Sequence, residues 1–190
     1  MTEHISPRLT TIVRTGIPLR PRRHLPKTLE ERAELGAREL RVPATFEEYL
    51  RMALECDYRL HYREGHIISF IEIEEKSGIV MGEASVSHEA LVMRLGRLLD
   101  ELFEDKDPGY HILGSNTRIF IAPDRKGLNA DVTVVRGSVE EVSFKYNKRT
   151  VSGIANPYLI VEVLSESTRD FDLSEKLSDY KHIPSLQQVV

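Results

Sequence analysis

Tyr158-Leu159-Ile160-Val161-Glu162-Val163-Leu164 decides how this chain is read. It is the most apolar segment of the sequence, and its β-branched residues mark a central strand buried on both faces. Glu162 sits inside it. An ionised carboxylate in such a strand costs on the order of several kcal/mol unless it is paired or coordinates a metal. Two other arrangements stay open from the residues alone: an edge strand with Glu162 facing water, or a Glu–Arg pair.

Upstream, Asp131 heads a second apolar run, Ala130-Asp131-Val132-Thr133-Val134-Val135. Neighbouring strands lie ~4.8 Å apart, so two carboxylates on one face can share a divalent cation. Asp124 competes for that role, but it belongs to Pro123-Asp124-Arg125-Lys126-Gly127, a turn in which Asp serves local hydrogen bonding. Thr117 to Ile121 reads as the strand before that turn, and residues 137–156 as a loop or irregular hairpin excursion. Downstream, Asp172-Leu173-Ser174-Glu175 reads as a capping box opening a helix that Pro184 closes.

Towards the N-terminus, Thr45-Phe46-Glu47-Glu48 is a capping box for a helix to about Leu54. Arg59–Tyr62 and His66–Ile73 flank the turn Glu64-Gly65 as a hairpin. Ser87 is expected to cap a helix whose apolar stripe is Leu91, Leu95, Leu98, Leu99 and Leu102. Thr28 to Arg41 reads as a short helix weakened by Gly36. This alternation of helices and strands predicts an α/β or α+β layer fold around one mixed sheet.

The chain has 190 residues, 41% apolar and 29% charged, a balance that fits one folded domain with an extension and excludes wholesale disorder. No run approaches the ~18–20 apolar residues of a membrane span. MTEHISPRLT lacks the basic-then-apolar order of a secretory signal. Cys56 stands alone, which excludes an intrachain disulfide and a cysteine zinc site. A reducing, cytoplasmic setting is expected.

Charge is unevenly spread. Residues 1–43 carry nine Lys/Arg against five Asp/Glu, and residues 44–190 seventeen against twenty-five, so +4 faces −8. In the first part, Pro18, Pro21 and Pro26 interrupt a cluster of Arg20, Arg22 and Arg23. Such an arm either touches phosphate or lies on an acidic surface. The split favours the second, and with it a homodimer with exchanged arms. The division expected is a basic extension over 1–43 and a folded domain over 44–190.

Phosphate-loop, dinucleotide, nucleophile-elbow and HExxH signatures are all missing. His61 and His66 straddle the hairpin turn; they read as exposed residues, and as a metal pair they would want a third ligand. What remains distinctive is a spaced set: Asp131, Glu162 within Val161-Glu162-Val163-Leu164-Ser165-Glu166-Ser167-Thr168, and Asp172, Lys176 and Tyr180 four apart.

That set, together with Thr45–Leu50, Glu64-Gly65 and Ser87-His88, resembles the Uma2 family of the PD-(D/E)xK, restriction-endonuclease-like superfamily. The resemblance covers residues 44 to about 186. It implies an α/β fold with a mixed central sheet flanked by helices, and metal-dependent hydrolysis of phosphodiester bonds in DNA. It implies Mg²⁺ (or Mn²⁺) held by Asp131, Glu162 and the backbone carbonyl of Val163, with Lys176 as the third catalytic residue. His88, His61 and Tyr180 are auxiliary positions. The superfamily's usual lysine position, two after the glutamate, is Leu164 here, so the lysine has moved to the helix. Family members usually carry a glutamate where this chain has His61, and run on past Gln187-Gln188-Val189-Val190, so the domain is read as cut short there. These departures sustain an alternative: a nuclease-fold protein with impaired catalysis that binds nucleic acid or assembles with partners.

Overall fold

Two threonines start the described part of the chain. Thr28 and Thr45 each accept a backbone N–H from a glutamate three residues on, and that glutamate reaches back to the threonine N–H. They open α1 (Leu29–Glu34) and α2 (Phe46–Glu55), with strand β1 (Glu39–Pro43) between them. The computed structural model describes residues 25–73, 80–81, 85–106, 109–122 and 125–190. The arm's Arg20, Arg22 and Arg23 with Pro18 and Pro21, Asp107-Pro108 and Pro123-Asp124 lie outside the described residues.

β2 (His61–Arg63) and β3 (His66–Phe70) form the hairpin expected from the sequence. Glu64 (φ 49°) and Gly65 (φ 72°) turn it with two positive φ angles, the geometry that matches strand twist. The short pair β4 (Glu72–Ile73) and β5 (Val80–Met81) precedes α3 (Val86–Phe103). Then come β6 (Tyr110–Gly114), β7 (Arg118–Ile121), β8 (Lys126–Asn129), β9 (Val132–Arg136), β10 (Glu141–Tyr146), β11 (Arg149–Ile154) and β12 (Leu159–Val161). A π-helical segment, Phe171–Lys176, runs directly into α4 (Leu177–Tyr180), and β13 (Gln188–Val189) follows.

The strands form a seven-stranded mixed sheet in the order β1-β3-β2-β8-β7-β11-β10 and a four-stranded mixed sheet in the order β13-β12-β9-β6. Two layers of core hold the larger sheet. On one side α2 packs Phe46, Tyr49 and Leu50 against Tyr62, Ile67, Phe120 and Val151. Contact there is so close that a side chain on Gly127 would come within 2.6 Å of the Tyr49 hydroxyl. On the other side Ile68, Phe70, Ile119 and Leu128 meet Val135 and Ile160 of the smaller sheet, together with Phe171, Tyr180 and Ile183.

Several sequence expectations change. There are two principal sheets rather than one. The central strand stops at Val161, and Glu162 stands one residue past its end. Lys126–Asn129, half of it assigned to a turn, is a strand buried throughout. Residues 137–156 hold a regular hairpin, β10–β11, with every residue from Glu141 to Ile154 in register around Asn147-Lys148. Ser85, not Ser87, caps α3 through the His88 N–H. The α3 face turned to the core is Val92 with Leu95 and Leu99, whereas Leu91, Leu98 and Leu102 are exposed.

The segment Thr28–Arg41 is not one helix, because the chain turns at Gly36 (φ 66°) and Glu39–Pro43 joins the sheet as β1. Residues 25–43 therefore belong to the body. Arg32 is fully buried there, donating to Ser69 Oγ (2.9 Å) and to the Ala37 carbonyl (2.7 Å). Asp172 does not cap a helix either; it lies inside the π-helical segment.

Candidate active site

Register brings the two strand-end carboxylates together. β9 and β12 are antiparallel, with Val132 opposite Val161. The ladder ends at that pair, and Asp131 and Glu162 are the next residue on each strand. Beyond this point the strands part, and both side chains line one cavity with Arg59, His61, His88, Glu89, Thr168, Asp172 and Lys176.

Glu162 is almost completely buried. Its carboxylate receives Lys176 Nζ on both oxygens (3.2 Å each) and the Tyr180 hydroxyl on Oε1 (2.6 Å). The lysine also pairs with Asp172 Oδ1 at 2.8 Å. Asp172 Oδ2 accepts the Thr168 hydroxyl at 2.6 Å. Asp131 is held at both oxygens: Oδ2 accepts the Val163 N–H (2.6 Å), and Oδ1 lies 3.2 Å from His88 Nε2. The observed Val163 contact is thus through its N–H, next to the carbonyl named as a metal ligand from the resemblance.

The local sequence explains the arrangement. Asp172, Lys176 and Tyr180 are four apart, so one side of the helical segment presents all three to Glu162. Glu175 and Asp179 fall on the other side. The Leu177 N–H bonds the Asp172 carbonyl, the i→i+5 pattern of a π turn, and such turns recur at functional sites. His88 sits in the first turn of α3, where the Ser85 cap fixes the helix start.

Burial dominates the electrostatics. It pushes the Glu162 carboxyl up to about 7, against the opposing pull of Lys176, with Asp172 and Asp131 adding to the rise. Burial alone would depress Lys176, but the Glu162 and Asp172 carboxylates outweigh it and hold the ammonium above its ordinary range. Tyr180 is driven well above the usual phenol range by burial and by Glu162. His61 is held well below its ordinary value by burial and by nearby Lys176 and Arg59, so it is neutral. Four carboxylates and two cations line the cavity with that neutral histidine.

His61 corrects a further expectation. It is buried, its ring packs near Phe70 and Phe171 (6.2 and 5.4 Å between centroids), and its Nδ1 has no hydrogen-bond partner. His66 turns away, with Nδ1 2.8 Å from the Glu64 carbonyl. The two do not form a metal pair. Among the described residues no three His, Cys, Asp or Glu side chains form a metal-holding group. Mg²⁺ does not need one: it is commonly held by one or two carboxylates and keeps several waters. The excess of carboxylates over cations and the raised Glu162 fit a divalent cation.

Sequence reasoning missed the other side of the helical segment. Arg63 Nε donates to Asp179 Oδ2 (2.6 Å) and Lys126 Nζ to Asp179 Oδ1 (2.7 Å). Arg41 grips Glu175 with two bonds (3.0 and 2.7 Å), and Arg63 Nη1 adds a third (2.9 Å). These partners lie 53 to 134 residues apart in the chain, and the acidic pair at i and i+4 was the signal available.

Two carboxylates at the ends of adjoining strands, with a lysine on the following helix, stand on a mixed α/β fold of the restriction-endonuclease-like class. The chain belongs to the Uma2 family: the family model, described as "Putative restriction endonuclease", matches residues 46–190. A protein of Synechocystis sp., named "Uncharacterized protein sll1609", is 38% identical over 120 residues. The aligned part is 60% of this chain and 64% of that relative, so the chain spans a little under two thirds of its length. No helix among the described residues is long and apolar enough to cross a membrane.

Proposed function

We propose that this protein is a metal-dependent endonuclease that hydrolyses phosphodiester bonds of DNA. The observation that carries the reading is the buried Glu162 carboxylate, which lines one cavity with Asp131 just past the last β9–β12 pair and is bonded to Lys176 and Tyr180. Asp131, Glu162 and the Val163 carbonyl would hold Mg²⁺ or Mn²⁺. When bound, the cation supplies Lewis-acid polarisation of the phosphoryl group and neutralises charge developing on its oxygens.

The chain's own residues do the rest. Lys176 orients the attacking water and stabilises negative charge as it develops. Asp172, fixed by the Thr168 hydroxyl, keeps the ammonium charged and aimed at the cavity. Tyr180 fixes the Glu162 rotamer, and His88 with the Val163 N–H fixes Asp131.

The buried, neutral His61 favours a second reading, in which the site binds nucleic acid without efficient cleavage. One experiment separates them. Supercoiled plasmid, single-stranded DNA and RNA are incubated with the chain in Mg²⁺, Mn²⁺ or EDTA, beside the Lys176→Met and Glu162→Gln variants. Nicking that needs metal, is lost in both variants and persists in a Leu173→Ala surface control supports the endonuclease. Binding without nicking by the wild type supports the second reading and removes the first. A cytoplasmic setting with a nucleic-acid partner accords with either.

A further inference from the structure

α3 exposes apolar surface that its own body leaves unused. Leu91 is 46% exposed, and Leu98 and Leu102 are each 60% exposed. With the half-buried Leu95 these residues recur at spacings of four, three and four, the alternation of one heptad seam. Val92 and Leu99, one position beyond Leu91 and Leu98, face the core with Val132 and Val161. The helix therefore has two adjoining apolar seams that share Leu95, which also packs on the core cluster, while Leu91, Leu98 and Leu102 of the outer seam are open.

The rim of the open seam is charged in a particular order. Arg94 and Glu101, seven residues apart and both exposed, flank it on the side away from the core. Laid antiparallel on a second α3 about a twofold between residues 96 and 97, Leu91 meets Leu102 and Leu95 meets Leu98. Arg94 of each copy then faces Glu101 of the other. Parallel pairing would instead turn Arg94 and Glu101 towards the partner's core-side flank, where Leu99 stands and no opposite charge meets them. Arg97 already pairs with Glu101 within the helix at 2.7 Å, but both are largely exposed and that pair leaves Glu101 open to a second cation. A lipid surface or nucleic acid would call for an unmixed basic rim. The seam is complementary to itself.

We propose that the outer face of α3 is a homodimer interface, formed by antiparallel isologous packing of two copies through Leu91, Leu95, Leu98 and Leu102 with reciprocal Arg94–Glu101 pairs. It stands independently of the cavity chemistry and of the arm.

The test is the solution mass of the full chain by analytical ultracentrifugation from about 1 to about 100 µM. The wild type is expected to be a dimer, and Leu98→Glu a folded monomer by circular dichroism, its dissociation constant raised at least about a hundredfold. Should Leu98→Glu fail to fold, the rim decides. Arg94→Glu and Glu101→Arg each create two like-charge contacts and are expected to dimerise about fivefold more weakly. Mixed in equal amounts they regain opposite charges and form the heterodimer in preference to either homodimer, as read by native mass spectrometry. A monomeric wild type at the top concentration, a folded Leu98→Glu dimer, or a mixture with no heterodimer preference overturns the proposal.

Discussion

The two sides of the C-terminal helical segment are both charged and both substantially buried, yet they are built differently. On one side, Glu175 and Asp179 each have two cationic partners among Arg41, Arg63 and Lys126, and all four carboxylate oxygens are bonded. On the other, the single Lys176 is shared by Glu162 and Asp172, and burial raises Glu162 to about 7. A matched cluster is what a structural clamp needs. An under-matched one holds carboxylates ready for another cation, at a cost in stability that the clamp offsets by fixing the helix against β1, β2 and β8.

The clamp breaks most visibly at Asp179. Its side chain is 2% exposed, and removing it takes from Arg63 and Lys126 a carboxylate that is almost wholly buried between them. Asp179→Ala is expected to lose about 3–5 kcal/mol in urea unfolding, the range for removing one member of a buried ion pair. A loss below about 1 kcal/mol would show that the two sides do not differ as argued.

The under-matched side responds to pH. Glu162 titrates at about 7 in the folded chain against an ordinary 4.5, so between these values the folded state binds a proton that the unfolded state has released. Stability from the neutral form is complete below pH 4.5 and is lost as pH rises through 7. Without divalent cations the wild type is expected to lose up to about 3 kcal/mol over that window. Glu162→Gln, which stays neutral facing Lys176, Asp172, Asp131 and Tyr180, should show a flatter profile. Parallel profiles would remove the assignment of this dependence to Glu162.

Cation binding comes next in size. Saturating Mg²⁺ at about 10 to 100 times its dissociation constant should stabilise the wild type at neutral pH by about 1.4–2.7 kcal/mol. EDTA should reverse the gain. Asp131→Asn and Glu162→Gln should lose it, and Lys176→Met should keep it. Equal stabilisation of all four chains would place the cation elsewhere.

How much of this was legible follows from locality. The capping box at Thr45, the Glu64-Gly65 turn and the apolar strand through Val132–Val135 depend on neighbours within a few residues, and they stand in the structure where the sequence puts them, whereas the strand before Glu162 ends sooner than its apolar run suggests. Asp172, Lys176 and Tyr180 were legible as one helical side for the same reason. The cap of α3 was misplaced by two residues because Ser85 and Ser87 are chemically equal, and only the helix start distinguishes them. The stripe on α3 was misread because period alone cannot say which of two adjacent leucine seams meets the core. The clamp was out of reach: pairing Glu175 with Arg41 depends on β1 joining the sheet, a long-range event that no local spacing announces.

The smallest effect tests whether the clamp is graded from inside to outside. Arg41 is 34% exposed, and its bidentate bonds to Glu175 compete with water. Removing it still leaves Glu175 the Arg63 guanidinium at 2.9 Å. Arg41→Ala is therefore expected to cost no more than about 1 kcal/mol, the upper range for exposed pairs. Because Arg63 and Lys126 still hold Asp179, the opposite side of the helix should keep its register, and Mg²⁺ should stabilise Arg41→Ala as much as the wild type. A loss near that of Asp179→Ala, or a lost response to Mg²⁺, would mean that the helix is held from its exposed end, and the contrast between its two sides would have to be drawn anew.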